Sequence, residues 1–185
     1  MRSWNLLLAV TASTLFFVGC ASKEEPAKQI VAGAEATLAP VREDAAIYAP
    51  DQLKVAEDNL ARAKENITWE KYQAVLDDAP ALNQSVTVLK DAVVSKQTQL
   101  AAATHEWEDL NQQVPKIVAA LEGQVANLPK AKREATKAEL ETIKSMWAEA
   151  TAAFSAGDPT KAADKGRIVQ TKGAELMTQL GMSPV

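Results

Sequence analysis

Three side chains in the middle of the chain have the types and spacing of a metal site. His105, Glu108 and Asp109 would place one imidazole and two carboxylates on a single face of a helix. A zinc site generally adds another histidine or a fourth ligand, and this is the only histidine of the chain. We therefore interpret the three as a solvated charged face, and we predict neither a metal nor another cofactor.

The adjacent acidic pair Asp77 and Asp78 comes closest to a general acid and base. Neighbouring side chains on a helix point about 100° apart, so these carboxylates are poorly placed to act on one substrate. The sequence also has no glycine-rich phosphate loop, no nucleophile elbow and no paired histidine or cysteine ligands. These features favour surface charge at Asp77 and Asp78, and a protein that is not an enzyme.

Three tryptophans could recognise a ligand by stacking. Trp69, Trp107 and Trp147 all fall on predicted apolar helix stripes, where core residues belong. We interpret them as core residues; the alternative is a small-ligand site in which they line a pocket between helices.

The charge balance excludes nucleic acid as a partner. The chain has 20 Lys and Arg against 24 Asp and Glu, a net charge of −4, whereas nucleic-acid binding needs a clustered basic surface. The one basic cluster opens a predicted helix, where it opposes the helix dipole. It could contact anionic lipid or an acidic partner; we interpret it as solvated. Its members are Lys130, Lys132, Arg133 and Lys137.

The composition predicts the fold class. Alanine accounts for 35 of the 185 residues, against 7 glycines and 8 prolines. Because alanine favours helices and disfavours strands, we predict an all-α protein.

Apolar spacing places the first helices. One stripe runs from Ala27 to Tyr48 with Pro40 as a kink, and a second runs from Leu53 to Ile67 after a corner at Ala49-Pro50. A third helix, with Thr68 as its N-cap, continues to Leu128 at a period near 3.5 residues. We predict kinks at Pro80 and Pro115; the alternative is a break near Asn111 to Pro115.

The remaining chain predicts a second hairpin. A helix from about Lys130 should end at Ala156-Gly157, and Asp158-Pro159 should cap and open the last helix. Gly166 and Gly173 fall on the apolar stripe of that helix, which indicates close approach to a neighbouring backbone. The expected architecture is antiparallel helical hairpins in an elongated bundle with coiled-coil-like packing.

The amino terminus carries a targeting signal. The apolar run from Leu6 to Val18 would span about 20 Å as a helix, short of the roughly 30 Å hydrocarbon core, and is typical of a signal peptide. It ends in Phe17-Val18-Gly19-Cys20, which resembles the lipobox of bacterial lipoproteins, although the family prefers leucine where Phe17 stands. Cys20 is the only cysteine of the chain.

This resemblance implies cleavage before Cys20, two acyl chains on its sulfur and often a third on the new amine. Ala21 and Ser22 follow, rather than the aspartate that retains such proteins at the inner membrane of enteric-type bacteria, so the family rule implies the outer membrane, facing the periplasm. The alternative is ordinary cleavage after Ala21, which would give a freely soluble secreted protein.

A weak internal repeat links the two hairpins. The segments around Ala63-Ile67 and Ala150-Phe154 each read as helix, short turn, helix, and resemble tetratricopeptide-type units without the full consensus. The pattern Tyr48-Ala49-Pro50-x-x-Leu53-x-x-Ala56-x-x-x-Leu60-x-x-Ala63 resembles a family of alanine-rich helical envelope lipoproteins of unknown function. That resemblance covers roughly residues 28–91, with a degenerate copy near 134–180, and implies no catalytic residues.

The predicted organisation has five parts: a signal peptide over residues 1–19, a lipidated tether over 20–26, a helical region over 27–128, a C-terminal hairpin over 129–181 and a tail over 182–185. We predict a lipid-anchored helical scaffold or interaction module of the bacterial envelope, bound to the membrane and to an unidentified envelope protein. The alternative is a small-ligand-binding lipoprotein with a pocket lined by Trp69, Trp107 and Trp147. The sequence does not predict an oligomeric state.

Overall fold

The computed structural model describes residues 22–183, and this part of the chain contains helices and no strands. The all-α prediction is therefore confirmed. The helices are α1 (Glu24–Leu38), α2 (Arg42–Tyr48), α3 (Pro50–Thr68), α4 (Tyr72–Ala126), α5 (Lys130–Ser155) and α6 (Pro159–Gln179), with a 3-10 turn at Ala39–Val41 between α1 and α2.

The described residues form two compact units. Unit 1 consists of residues 22–40 and 54–86, and unit 2 of residues 41–53 and 87–183. Helices α3 and α4 each contribute residues to both units.

Unit 1 is built from α1, most of α3 and the first part of α4. Glu35 of α1 forms an ion pair with Lys64 of α3, and Asp78 of α4 lies 3.3 Å from Arg62 of α3. The small residues of α1 and α3 let the helices come close together, as alanine-spaced stripes predict. The buried residues of unit 1 are Ala27, Val31, Ala34, Leu38, Ala56, Leu60, Ala63, Val75, Leu82 and Val86.

Unit 2 has its main core where the second part of α4 meets α5 and α6. Three ion pairs tie these helices together at the surface: Lys144–Glu122, Lys165–Glu149 and Arg167–Glu106. Burial of the apolar side chains supplies most of the driving force for this packing. The core residues are Leu110, Val114, Ile117, Leu121, Val125, Leu140, Ile143, Val169, Leu176 and Met177.

The two glycines on the α6 stripe serve close packing, as the sequence predicts. A Cβ atom on Gly166 would lie 2.9 Å from Leu110 Cδ1, and one on Gly173 would lie 2.6 Å from Ile117 Cγ2. Both distances are too short for carbon atoms. Glycine at these positions therefore lets α6 approach α4.

Two predictions about the first helices are wrong. Pro40 does not kink one continuous helix, because the 3-10 turn at Ala39–Val41 separates α1 from α2. Thr68 is not an N-cap: it is the last residue of α3, and its Oγ1 donates a hydrogen bond to the Lys64 carbonyl. The chain then turns through Glu70, whose φ is +55°, and α4 begins three residues later than predicted.

The long helix runs through both of its prolines. Pro80 and Pro115 lie inside α4, so the predicted continuity is confirmed and the alternative break near Asn111 is wrong. Val75 and Val125 are buried, whereas Tyr72, Leu76 and Gln124 are only half-buried.

The C-terminal hairpin begins and turns where the sequence predicts. Helix α5 begins at Lys130 and ends at Ser155, and Gly157 follows with a φ of +83°. The carboxylate of Asp158 accepts a hydrogen bond from the Lys161 backbone N–H at 2.9 Å, and Pro159 is the first residue of α6.

Candidate functional site

The acylation site that the lipobox resemblance implies, Cys20, is known from the sequence alone. Cys20 and the predicted signal peptide lie outside the described residues. Helix α1 begins at Glu24, four residues after Cys20. A four-residue interval spans at most about 14 Å when extended, so an acyl anchor at Cys20 would hold the start of α1 close to a bilayer.

The structure brings two of the three candidate tryptophans together. Trp107 stacks on Trp147, with ring centroids 4.9 Å apart and planes at 19°, and it also stacks on Phe154 at 5.2 Å. Trp107 and Trp147 pack with Ala150, Ala153 and Ala162. Because Trp107 is only 4% exposed, its ring is a core element with no face free for a ligand.

Trp69 does not belong to the unit that contains this stack. It belongs to unit 1, follows the last residue of α3, and is 65% exposed. The prediction that Trp69 lies on a buried stripe is therefore wrong, because the turn through Glu70 ends the helix before it. The pocket lined by all three indoles, which the sequence left as the alternative, does not form within either unit.

The predicted charged face around His105 is solvated. His105 Nδ1 lies 3.5 Å from Asp109 Oδ2, and these side chains are 77% and 59% exposed. Among residues 22–183, no cluster of three or more histidine, cysteine, aspartate or glutamate side chains has a geometry that could hold a metal ion.

Asp77 and Asp78 have separate partners. Asp77 accepts a hydrogen bond from Gln73 Nε2 at 2.6 Å, whereas Asp78 lies 3.3 Å from Arg62 Nε. The two carboxylates are thus engaged on different neighbours and do not converge on a common point.

The predicted basic cluster at the start of α5 is exposed to solvent at Lys130, Lys132, Arg133 and Lys137. The Arg133 guanidinium donates two hydrogen bonds to the Leu128 carbonyl, at 3.1 and 2.7 Å. This side chain therefore helps to hold the turn before α5, a role that the spacing of charges did not predict.

The sequence reasoning missed a surface on α6, which we call the α6 face. Ile168 lies at the centre of this face and is 48% exposed. The side chains around it are charged or hydroxylated, and the whole face is formed by Asp164, Arg167, Ile168, Thr171, Lys172 and Glu175. The signal was present in the sequence, since Ile168 is an apolar residue off the stripe that α6 buries.

One edge of the α6 face is fixed by an ion pair with α4. Arg167 Nε and Nη2 donate to the two carboxylate oxygens of Glu106, at 2.7 and 2.9 Å. This bidentate hydrogen bonding from Arg167 holds the pKa of Glu106 below its ordinary value. It also fixes the guanidinium beside Ile168.

Within residues 22–183 no helix has the length and apolarity required to cross a bilayer. Comparison of the chain with models of protein families, with curated proteins and with solved structures gives no match.

Proposed function

We propose that this protein is a lipid-anchored, periplasm-facing helical interaction module of the bacterial cell envelope, without enzymatic activity. The observation that carries the proposal is the position of the only cysteine, directly after an apolar signal-like segment and in a lipobox-like sequence. Two acyl chains on Cys20 suffice for stable attachment, since each buried methylene contributes about 0.8 kcal/mol.

The helical body begins within four residues of this anchor. A partner that binds the body would therefore be tethered to the membrane that holds the acyl chains. Because Ala21 and Ser22 follow the cysteine, the lipobox resemblance favours the outer membrane.

The α6 face supports a binding role. An exposed apolar residue at the centre of a polar rim matches the usual anatomy of protein interfaces. Ile168 supplies the centre, and Arg167, already fixed by Glu106, supplies a side chain of a type common at interaction hot spots. We assign the contact with an envelope protein to this face.

The anchor is tested by replacing Cys20 with serine. We expect the wild-type protein to incorporate labelled palmitate and to sediment with membranes, and the Cys20→Ser protein to do neither. A Ser22→Ala variant is the control and should behave as wild type. Equal labelling and sedimentation of the Cys20→Ser protein would contradict the proposal.

The binding role is tested by photocrosslinking in intact cells. A benzophenone amino acid is placed at Ile168, or as a control at Lys137, which is an exposed position on α5. We expect a discrete crosslinked product from position 168 and none from 137. An additional Arg167→Glu substitution should abolish the product. No product from position 168, or equal products from both positions, would contradict the assignment to α6.

A further inference from the structure

One end of unit 1 contains both the start of α1 and the turn between α3 and α4. The first half of α1 lies against the last turns of α3, where Lys28, Val31, Lys64 and Ile67 line a common groove. The ion pair between Glu35, one turn after Val31, and Lys64 joins the same two helices. The residues that follow Ile67, including Trp69, are therefore placed beside the beginning of α1.

Trp69 is held at this end by the backbone of the turn. Its N–H donates to the Glu65 carbonyl at 3.0 Å, and the next two N–H groups donate to Ile67 and Asn66 at 3.0 and 2.8 Å. The three backbone N–H groups of the turn are thus hydrogen-bonded, while the indole is 65% exposed. A large amphipathic ring that is exposed on a hydrogen-bonded turn is suited to the boundary between lipid headgroups and acyl chains.

The charged side chains near Trp69 are balanced in sign, so a membrane contact at this end would depend on the indole. Lys23 and Lys71 are exposed cations, and Glu25 and Glu70 are exposed anions at the same end. A balanced set of this kind gives little attraction to an anionic membrane surface, which requires a cluster of basic residues.

The length of chain between Cys20 and α1 brings this end to the bilayer. The start of α1 can lie no more than about 14 Å from the Cys20 backbone, even with the intervening residues extended. We propose, on the basis of the proposed acylation of Cys20, that Trp69 inserts into the interfacial region of the phospholipid bilayer. Unit 1 then meets the membrane through the start of α1 and the turn between α3 and α4.

Quenching of tryptophan fluorescence by brominated lipid tests this contact. The acylated mature protein is reconstituted into phosphatidylcholine vesicles that carry bromine near the acyl carbonyls. It retains three tryptophans, because Trp4 lies in the segment proposed to be removed. We expect loss of roughly a third of the emission, that of one indole in three, and almost no loss in a Trp69→Phe variant.

A matched control moves the exposed indole along the same helix. Val55 is 54% exposed near the start of α3, about 20 Å from the end of that helix at 1.5 Å per residue. The double variant Trp69→Phe/Val55→Trp should show no more quenching than Trp69→Phe alone. Circular dichroism confirms that each variant is folded.

The possible results separate the two proposals. If the wild-type protein floats with the vesicles but is quenched no more than Trp69→Phe, the Trp69 contact is wrong and the anchor stands. Equal quenching from position 55 would also contradict contact through this end of unit 1. If the protein purified from cells carries no acyl chain and does not float, both proposals are wrong.

Discussion

Glu70 and Gly157 occupy the same position in two turns that end helices. In each turn the residue after the helix cap has a positive φ, and its own N–H and the N–H of the following residue donate to carbonyls of the last helical turn. Gly181 makes a third turn of the same kind after α6. This is the Schellman arrangement, in which glycine is favoured because a Cβ atom is strained at positive φ.

Replacing Glu70 with glycine should stabilise the protein. Removal of the left-handed strain is expected to raise the free energy of unfolding by about 1 kcal/mol, as measured by urea denaturation. Glu70→Ala, which removes the carboxylate but keeps the strain, should give little gain. Conversely, Gly157→Ala should lower the free energy of unfolding by about 1 kcal/mol. A destabilised Glu70→Gly protein would contradict this account.

Replacing Gly173 with alanine should destabilise unit 2. The new methyl group would meet Ile117 Cγ2 at 2.6 Å, and such overpacking costs about 1–3 kcal/mol. Gly123, which is also helical, has no atom within 4 Å of an added Cβ. Gly123→Ala is therefore the control, and it should stabilise by about 0.5–1 kcal/mol through helix propensity. Equal unfolding midpoints for the two variants would contradict the close approach of α6 to α4.

At the scale of elements, two stretches of α4 within unit 2 differ in how much of their surface is buried against other helices. Residues 94–99 are all exposed, and Val94 is 60% exposed. By contrast, Leu110, Val114, Ile117 and Leu121 belong to the buried core with α5 and α6. Local opening of a helix costs less free energy where few apolar contacts hold it.

Hydrogen exchange should reveal this difference along one helix. We expect backbone amides in residues 94–99 to exchange roughly a hundredfold faster than those in residues 110–121, because their opening exposes little buried surface. Mass spectrometry of peptides that cover the two stretches gives the comparison. Equal protection of both stretches would contradict this uneven support of α4.

The ion pair between α4 and α6 should make stability depend on pH. The hydrogen bonds from Arg167 depress the pKa of Glu106 in the folded state. A carboxylate with a depressed pKa stabilises the fold at pH values above its unfolded pKa, and this contribution disappears as the pH falls through the folded pKa. The pair is about half exposed, so solvent screening makes the contribution small.

We therefore expect Glu106→Gln to lower the urea midpoint at neutral pH. The difference from wild type should shrink as the pH falls below about 4.5, the ordinary pKa of a glutamate carboxyl. Arg167→Gln should give a similar change, and the double variant should add little beyond either single one. A difference that stays constant down to pH values well below the glutamate range would contradict the role of this pair.

At the scale of the whole molecule, membrane association should resist salt. The net charge is −4, so attraction to anionic lipid gives no basis for attachment. In about 1 M NaCl, where the Debye length is about 3 Å, we expect the acylated protein to stay in the membrane fraction. Detergent should release it, and the Cys20→Ser protein should be soluble at low and high salt alike. Release of the wild-type protein by salt alone would contradict acyl anchoring.

Local signals in the sequence predicted much of the fold. The corner at Ala49-Pro50, the boundary at Leu128-Pro129 and the Asp158-Pro159 cap each act through the conformation of one or two residues, so they can be recognised without knowledge of the packing. The role of Gly166 and Gly173 in close helix packing could also be predicted, because both fall on the apolar stripe of α6. The turn at Glu70 could not be recognised in this way, because a glutamate seldom adopts a positive φ.

The sequence by itself determined the helical class of the protein, most helix boundaries and the cysteine proposed as its anchor, because these depend on neighbours within a few residues. Only the tertiary structure decided which apolar residues are covered. It stacked Trp107 on Trp147, left Trp69 and Ile168 exposed, and joined Glu106 to Arg167. Burial and ion pairing depend on which helices meet and in what register, and that is fixed by packing between residues distant in the chain.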